Sequence, residues 1–282
     1  MSAPYVVSSD LETLWSRAGV VLPQDALKRF RLGVSNCLKS IFGGCEWITE
    51  TELSDGIQQL LAESDLPIVC LDKVYARNQA LCIDASRLHD KTGEALGLGS
   101  GNEEYGTMLA LQVQRIAMKT GNEVALVDDV LFSGKLCKYL VEMFQTNGVT
   151  VRHIYTGVAI GHGINKVESL GCKVKAVRIY ETVVDQVCER DFMPGAPFSG
   201  RTVVGLYNTG MPYLLPYGRP ESWASIPAAY AATFSATCLK LAAEIYYEIG
   251  MRQADLPRNI HGMEVNGNTL VCEHLMKAAN SL

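Results

Sequence analysis

The segment VALVDDVLFSGK, residues 124–135, decides how the rest of the chain is read. An apolar run leads into Asp128 and Asp129, further apolar residues follow, and Ser133-Gly134-Lys135 closes the segment. Adjacent carboxylates repel each other and are rarely buried without partners. The strand is therefore expected to end at the acids, in a cleft that needs acceptors. The turn Val130-Leu131-Phe132-Ser133-Gly134-Lys135 then opens a helix, GKLCKYLVEMFQTNG, with Leu136, Leu140, Met143 and Phe144 on one face and Gly148 after it. Amides at a helix start, a glycine that permits close approach, a serine hydroxyl and a nearby lysine make a phosphate cradle. The two carboxylates suit vicinal hydroxyls, which donate to them. A phosphate beside a diol describes a ribose 5-phosphate.

Outward from this segment, strand and helix alternate. VTVRHIYTGVAIG reads as a strand, INKVESLG as a short helix and CKVKAVRIYETVV as another strand. Apolar strands alternating with helices predict a parallel sheet covered on both faces, with ligands beyond the carboxyl ends of the strands. Upstream, PIVCLDKVYA and ALCIDAS read as short strands, and RLHDKTGEALGLGSGNEE as a long glycine-bearing loop, of which 92–104 is the lid candidate. EYGTMLALQVQRIAMKTG carries helical periodicity to a stop at Gly121. Residues 9–66 read as helical, with punctuation at Gly43-Gly44 and a cap at Thr49 or Thr51. After Val184 the pattern loosens into proline- and aromatic-rich loops and a long Ala-rich helix from PAAYAATFS. The expected organisation is an N-terminal helical segment, 1–66, an α/β core, 67–185, and a C-terminal lobe, 186–282, in one compact unit.

At residues 124–135 the chain resembles the phosphoribosyl-pyrophosphate (PRPP) motif of type I phosphoribosyltransferases: an apolar strand, two acids, mostly apolar residues, Ser or Thr, and Gly. The DDVLFSG form resembles most the branch of the pyrimidine-attenuation regulator with uracil phosphoribosyltransferase activity. The resemblance covers 122–160 well and 67–185 loosely. It implies an α/β fold of type I phosphoribosyltransferase topology, with a parallel sheet core and an additional lobe from the terminal regions. It also implies phosphoribosyl transfer from PRPP to a nitrogenous base or base-like acceptor, with release of pyrophosphate and with Mg²⁺ as cofactor. By carry-over Asp128 and Asp129 hold the ribose hydroxyls and touch the metal indirectly. Residues 131 to 135, with Val130 leading in, hold the 5-phosphate. Two departures stand out. Leu136 occupies a position where the family commonly has a second hydroxyl, and no helix fits between PIVCLD and ALCIDA to follow a pyrophosphate loop. Pyrophosphate then falls to Lys73, Arg77 and Arg87 near predicted strand ends, or to GLGSGNEEYG. The competing reading is a regulatory protein that binds PRPP or a nucleotide on the same fold without transfer chemistry.

Other features set limits. Glu189-Arg190-Asp191-Phe192, before a Pro-Gly turn, reads equally as an acceptor-binding loop, with Arg190, Asp191 and Phe192 on a base, and as a structural loop with an internal ion pair. The formal charge of −5 is spread without a basic block, which disfavours bulk nucleic acid. No apolar run is long enough to span a bilayer and the start MSAPYVVSSD lacks signal-peptide regions, so the expectation is a cytoplasmic protein, with a homodimer left open. Nine scattered cysteines without a C-x-x-C pair suggest reduced thiols, not a zinc site or disulfide framework. The histidines show no metal-ligand spacing, although His162 in AIGHGIN lies at a strand end near the expected cleft.

Overall fold

A computed structural model describes residues 3–72, 74–76, 78–92, 94–100, 108–197, 201–205, 209–214, 219–257, 259–261 and 268–282. The chain forms two compact units, Met1–Trp47 with Arg87–Gly97 and Val184–Leu282, and Ile48–Ser86 with Leu98–Val183. In chain order the elements begin with β1 (Tyr5–Ser8), α1 (Leu11–Arg17), α2 (Gln24–Phe42), β2 (Cys45–Ile48) and α3 (Glu50–Ala62). Next come β3 (Ile68–Cys70), β4 (Leu81–Cys82), β5 (Ala85–His89), β6 (Ala95–Ser100) and α4 (Leu109–Ala117). The central run is β7 (Glu123–Leu131), α5 (Lys135–Thr146), β8 (Thr150–Ile160), α6 (Gly161–Glu168) and β9 (Lys173–Tyr180). Then follow β10 (Asp185–Cys188), a 3-10 turn (Glu189–Phe192), β11 (Arg201–Val203), β12 (Thr209–Leu214) and α7 (Pro220–Trp223). The chain closes with α8 (Ala228–Ile249), β13 (Asn259–His261) and α9 (Val271–Asn280).

The second unit is α/β, built on a five-stranded sheet of order β4-β3-β7-β8-β9 in which every pairing is parallel. Strand alternation divides its faces. Val124, Leu126 and Leu131 join Leu109, Val113 and Ile116 of α4 and Leu140, Val141 and Phe144 of α5 in one buried cluster. Leu53 and Ile57 of α3 approach Gly157 of β8, and α3 packs on β8 and β9. Thr49 caps α3, its hydroxyl accepting from the Glu52 amide at 3.2 Å. This helix, read as part of an N-terminal segment, is thus a layer of the sheet unit.

The first unit has a separate core of Trp15, Phe30, Phe192, Phe234, Tyr246 and their neighbours. There β1 pairs in parallel with β10 and lies between β10 and β2. The helical reading of 9–66 is corrected at β2. Gly43 ends α2 in the left-handed region at φ 77°, and the four residues Cys45–Ile48 then extend as a strand.

Two further readings are corrected. Residues 85–89 and 95–100 are neighbouring strands and not one long loop. The Asp90 carboxylate holds the turn between them, accepting from the amides of Thr92 and Glu94, each at 2.8 Å. The rest of the lid candidate, residues 101–104 and Gly93, lies outside the described residues. Secondly, β7 does not stop at the acids but runs through them to Leu131, because β8 stays paired with it as far as Leu131 opposite Ala159.

The carboxyl edge of this sheet is packed at its glycines. Gly134, at φ +67°, starts α5, and a Cβ there would lie 2.9 Å from the Gly163 carbonyl oxygen. A Cβ on Gly163 would lie 2.2 Å from the Phe132 carbonyl oxygen, so the start of α6 touches the 131–134 turn backbone to backbone. Gly163→Ala is expected to destabilise the chain by about 1 to 3 kcal/mol through overpacking. Gly121→Ala, where a Cβ meets nothing within 4 Å, should stay within about 0.5 kcal/mol of wild type. Urea denaturation of the two variants checks this, and equal midpoints would contradict the packing described.

Candidate functional site

The site forms where two neighbouring strands end out of step. β3 pairs with β7 up to Cys70 opposite Val127, and the Leu71 amide still donates to the Val127 carbonyl at 2.8 Å. One residue later β3 has left the sheet, while β7 continues through Asp128 and Asp129 with β8 on its other side. The acids therefore sit at the carboxyl edge, past the last β3 pairing and still beside β8, as expected for ligand sites in parallel sheets.

Asp128 is 8% exposed and Asp129 is half-buried. The Asp129 amide donates to Asp128 Oδ1 at 3.0 Å. Burial, then the neighbouring carboxylates of Asp129 and Asp72, push Asp128 well above the usual carboxylate range. Asp72, 7% exposed, stands one residue past the last β3–β7 contact. Sequence reasoning missed it, because its position is set by the strand register and not by a local motif.

Among the phosphate candidates, Val130, Phe132 and Ser133 are half-buried, Leu131 is buried in the core cluster, and Lys135 is exposed. Leu131 can thus offer only its backbone to a ligand. Phe132 lies edge-on to His162 with ring centroids 5.3 Å apart, which brings His162 to the turn. The Ser133 hydroxyl accepts from the Lys135 amide at 3.4 Å, and the Ser133 carbonyl accepts from Lys166 Nζ at 2.7 Å. Among the described residues, no acceptor is offered to the amides of Gly134, Leu136 and Cys137 at this helix start. The side chain of Leu136 packs against the core cluster, so its lack of a hydroxyl serves packing. Lys166 is a second residue that sequence reasoning missed. Its only signal was a cation one turn after Gly161-His162-Gly163, whose glycines bring α6 up to the turn.

The remaining candidates divide between residues outside the described ones and residues of the first unit. Lys73 and Arg77 lie outside the described residues. Arg87 is in β5 and belongs to the first unit, where it pairs by backbone register with Arg201. Arg190, Asp191 and Phe192 also belong to that unit and are buried. Arg190 Nη1 donates to Asp10 at 2.8 Å, Asp191 accepts from Arg201, and Phe192 lies against Trp223 and Phe234. Glu189 beside them is held by Arg31 at 2.7 and 3.0 Å. The ion pairs of this loop thus run to Asp10, Arg31 and Arg201 outside it, and not between its own residues.

No family model matches the chain. A stretch of 60 residues, 21% of the chain, is 33% identical to a hypoxanthine/guanine phosphoribosyltransferase of Methanohalophilus mahii. The local likeness is to a phosphoribosyltransferase. The match spans 32% of that relative's length. Among solved structures, an orotate phosphoribosyltransferase from Aeropyrum pernix is 26% identical over 20% of this chain and 35% of that one, with a TM-score of 0.20. An adenine phosphoribosyltransferase from Thermoanaerobacter pseudethanolicus is 10% identical over 45% of this chain and 80% of that one, with a TM-score of 0.28. Overlaps this partial add nothing to the fold beyond the strand order already described. None of the nine cysteines forms a disulfide, and no helix among the described residues is long and apolar enough to cross a membrane.

The raised proton affinity of Asp128 has a defined consequence. The folded chain binds more protons than the unfolded one between the ordinary carboxylate range and the raised value, so stability falls as pH rises through that window. Asp128→Asn keeps an acceptor for the Asp129 amide and removes the buried charge. It should be more stable than wild type at pH 8, by about 1 kcal/mol or more, with the advantage vanishing towards pH 4. Denaturant titrations at several pH values test this. A difference independent of pH would mean that Asp128 is not held above its usual range.

Proposed function

We propose that the chain catalyses phosphoribosyl transfer from PRPP to a nitrogenous base, with release of pyrophosphate. The single observation that carries the reading is the juxtaposition, on one strand-turn-helix unit, of Asp128 and Asp129 at the carboxyl edge of the sheet with the amides of Gly134, Leu136 and Cys137. The acids accept from the two ribose hydroxyls. The helix start, the Ser133 hydroxyl and the cations Lys135 and Lys166 hold the 5-phosphate. The reacting centre carries oxocarbenium character, so the protein's contribution is positioning and charge stabilisation. Hard carboxylate oxygens suit Mg²⁺, and Asp128 and Asp129 are the residues that would meet it, indirectly, as it neutralises leaving-group charge on the diphosphate.

The base class is part of the proposal. The similarity to a hypoxanthine/guanine enzyme supports a purine acceptor, while the DDVLFSG motif supports the uracil branch. Arg190, Asp191 and Phe192 are left out of the acceptor site because their side chains are engaged within the first unit. Nine cysteines without a disulfide fit a cytoplasmic setting. A second reading, a PRPP- or nucleotide-binding regulator without transfer chemistry, is favoured by one observation: the described residues among 71–80 carry no helix after β3.

Pyrophosphate release from PRPP and Mg²⁺, measured against hypoxanthine, guanine, uracil, orotate and nicotinamide, separates the readings. Transfer predicts release that depends on one acceptor and falls about 10- to 100-fold in Asp129→Asn, the value of one charge-assisted hydrogen bond. No release with any acceptor, while ribose 5-phosphate still binds, would overturn the enzyme and leave the regulator.

A further inference from the structure

The turn that follows β3 already holds an anion. Asp72 Oδ1 accepts from the Val74 amide at 2.8 Å, and Oδ2 accepts from the amides of Tyr75 and Ala76, each at 2.5 Å. Three successive amides converging on one negative group form an anion nest. The nest is anchored from both sides. Cys70 Sγ donates to the Asp72 carbonyl at 3.0 Å, and Gln58 Nε2 donates to the Tyr75 carbonyl at 3.1 Å. Register places it beside the acids, since Leu71 is bonded to Val127 and the next residues of the two strands are Asp72 and Asp128.

A neutral acceptor would close such a turn as well. A buried carboxylate here adds repulsion to the neighbouring Asp128, and buried like charges are costly. The feature matters for ligand choice. A ribose carrying a diphosphate on C1 is anionic at both ends, and C1 adjoins the hydroxyl-bearing carbons that Asp128 and Asp129 would hold. Its two anions call for two nests on either side of the acids. The helix start offers the amides of Gly134, Leu136 and Cys137, whereas the amides of 74–76 are engaged by the chain's own carboxylate.

We propose that Asp72 is a specificity-determining residue, a built-in occupant of the second nest that makes the resting site prefer a ribose monophosphate over a ribose bearing a diphosphate on C1. The preferred ligands are ribose 5-phosphate and nucleoside 5′-monophosphates. A diphosphate enters only when Asp72 leaves its amides, so the carboxylate restrains the transfer direction and favours binding of the monophosphate product. The inference rests on the assignment of 128–135 to a phosphoribose.

Calorimetry on the full chain tests it with three probes: ribose 5-phosphate, PRPP with Mg²⁺, and inorganic pyrophosphate. Asp72→Asn keeps one of the two acceptor oxygens, replaces the other by a donor that cannot accept from its amides, and removes the charge, and Asp72→Ala empties the nest. Relative to ribose 5-phosphate, affinity for PRPP and pyrophosphate should rise about tenfold or more in both variants, the scale of a displaced charge-assisted contact. An unchanged ratio of PRPP to ribose 5-phosphate affinity in folded Asp72→Asn overturns the inference and reduces Asp72 to a turn residue. Should Asp72→Ala not fold, Asp72→Asn decides alone. A different failure marks the underlying assignment: wild type that does not bind ribose 5-phosphate, or binds it equally well as Asp129→Asn, removes the phosphoribose site itself and this inference with it.

Discussion

The second unit is organised around one mismatch in strand length. β7 stays paired with β8 to Leu131 but loses β3 after Val127. In a fully paired sheet the acids would be flanked by backbone on both sides, and two neighbouring carboxylates there would face severe desolvation. Early departure of β3 leaves the acids with a strand partner on the β8 side only. Asp128 remains buried enough for its proton affinity to rise, and Asp129 is half-buried. The same departure brings Asp72 and its amide turn to the rim. The acids and the filled nest thus share one structural cause.

The opposite rim depends on close backbone packing. Gly134 permits the left-handed start of α5, and Gly163 permits α6 to touch the turn at Phe132. Lys166 then reaches the Ser133 carbonyl. The glycine of the Ser-Gly turn therefore answers first to packing, whatever it also allows a phosphate to do. Buried charge is handled differently in the first unit. Glu189, Arg190 and Asp191 each face a partner of opposite sign, Arg31, Asp10 and Arg201. Paired charges of this kind hold a loop in place, while at the sheet edge burial and the carboxylates of Asp129 and Asp72 push Asp128 well above the usual carboxylate range.

Much of this was legible in the sequence wherever the determinants were local. The apolar strand, the two acids, the Ser-Gly turn and the amphipathic α5 lie within one continuous stretch, and the alternation through β9 followed from apolar periodicity. Where partners distant in sequence decide the outcome, the reading was incomplete. β7 passes through its acids because β8 accompanies it. The four-residue β2 exists because β1 lies beside it, and β6 is a strand despite its glycines because β5 pairs with it. Asp72 looked like an ordinary strand-end residue in PIVCLDK, since its role depends on a turn that folds back over it. Arg190-Asp191-Phe192 showed two equal faces in sequence, and only the burial of their partners Asp10, Arg201 and Trp223 distinguishes them.

The central claim is that one strand-turn-helix unit holds a phosphoribose. Its most direct test is an experimental structure with ribose 5-phosphate bound. The account predicts the phosphate at the amides of residues 134–137 and the ribose hydroxyls on Asp128 and Asp129. Well-defined ligand with its phosphate away from this helix start, or with hydroxyls that do not meet either acid, would contradict it.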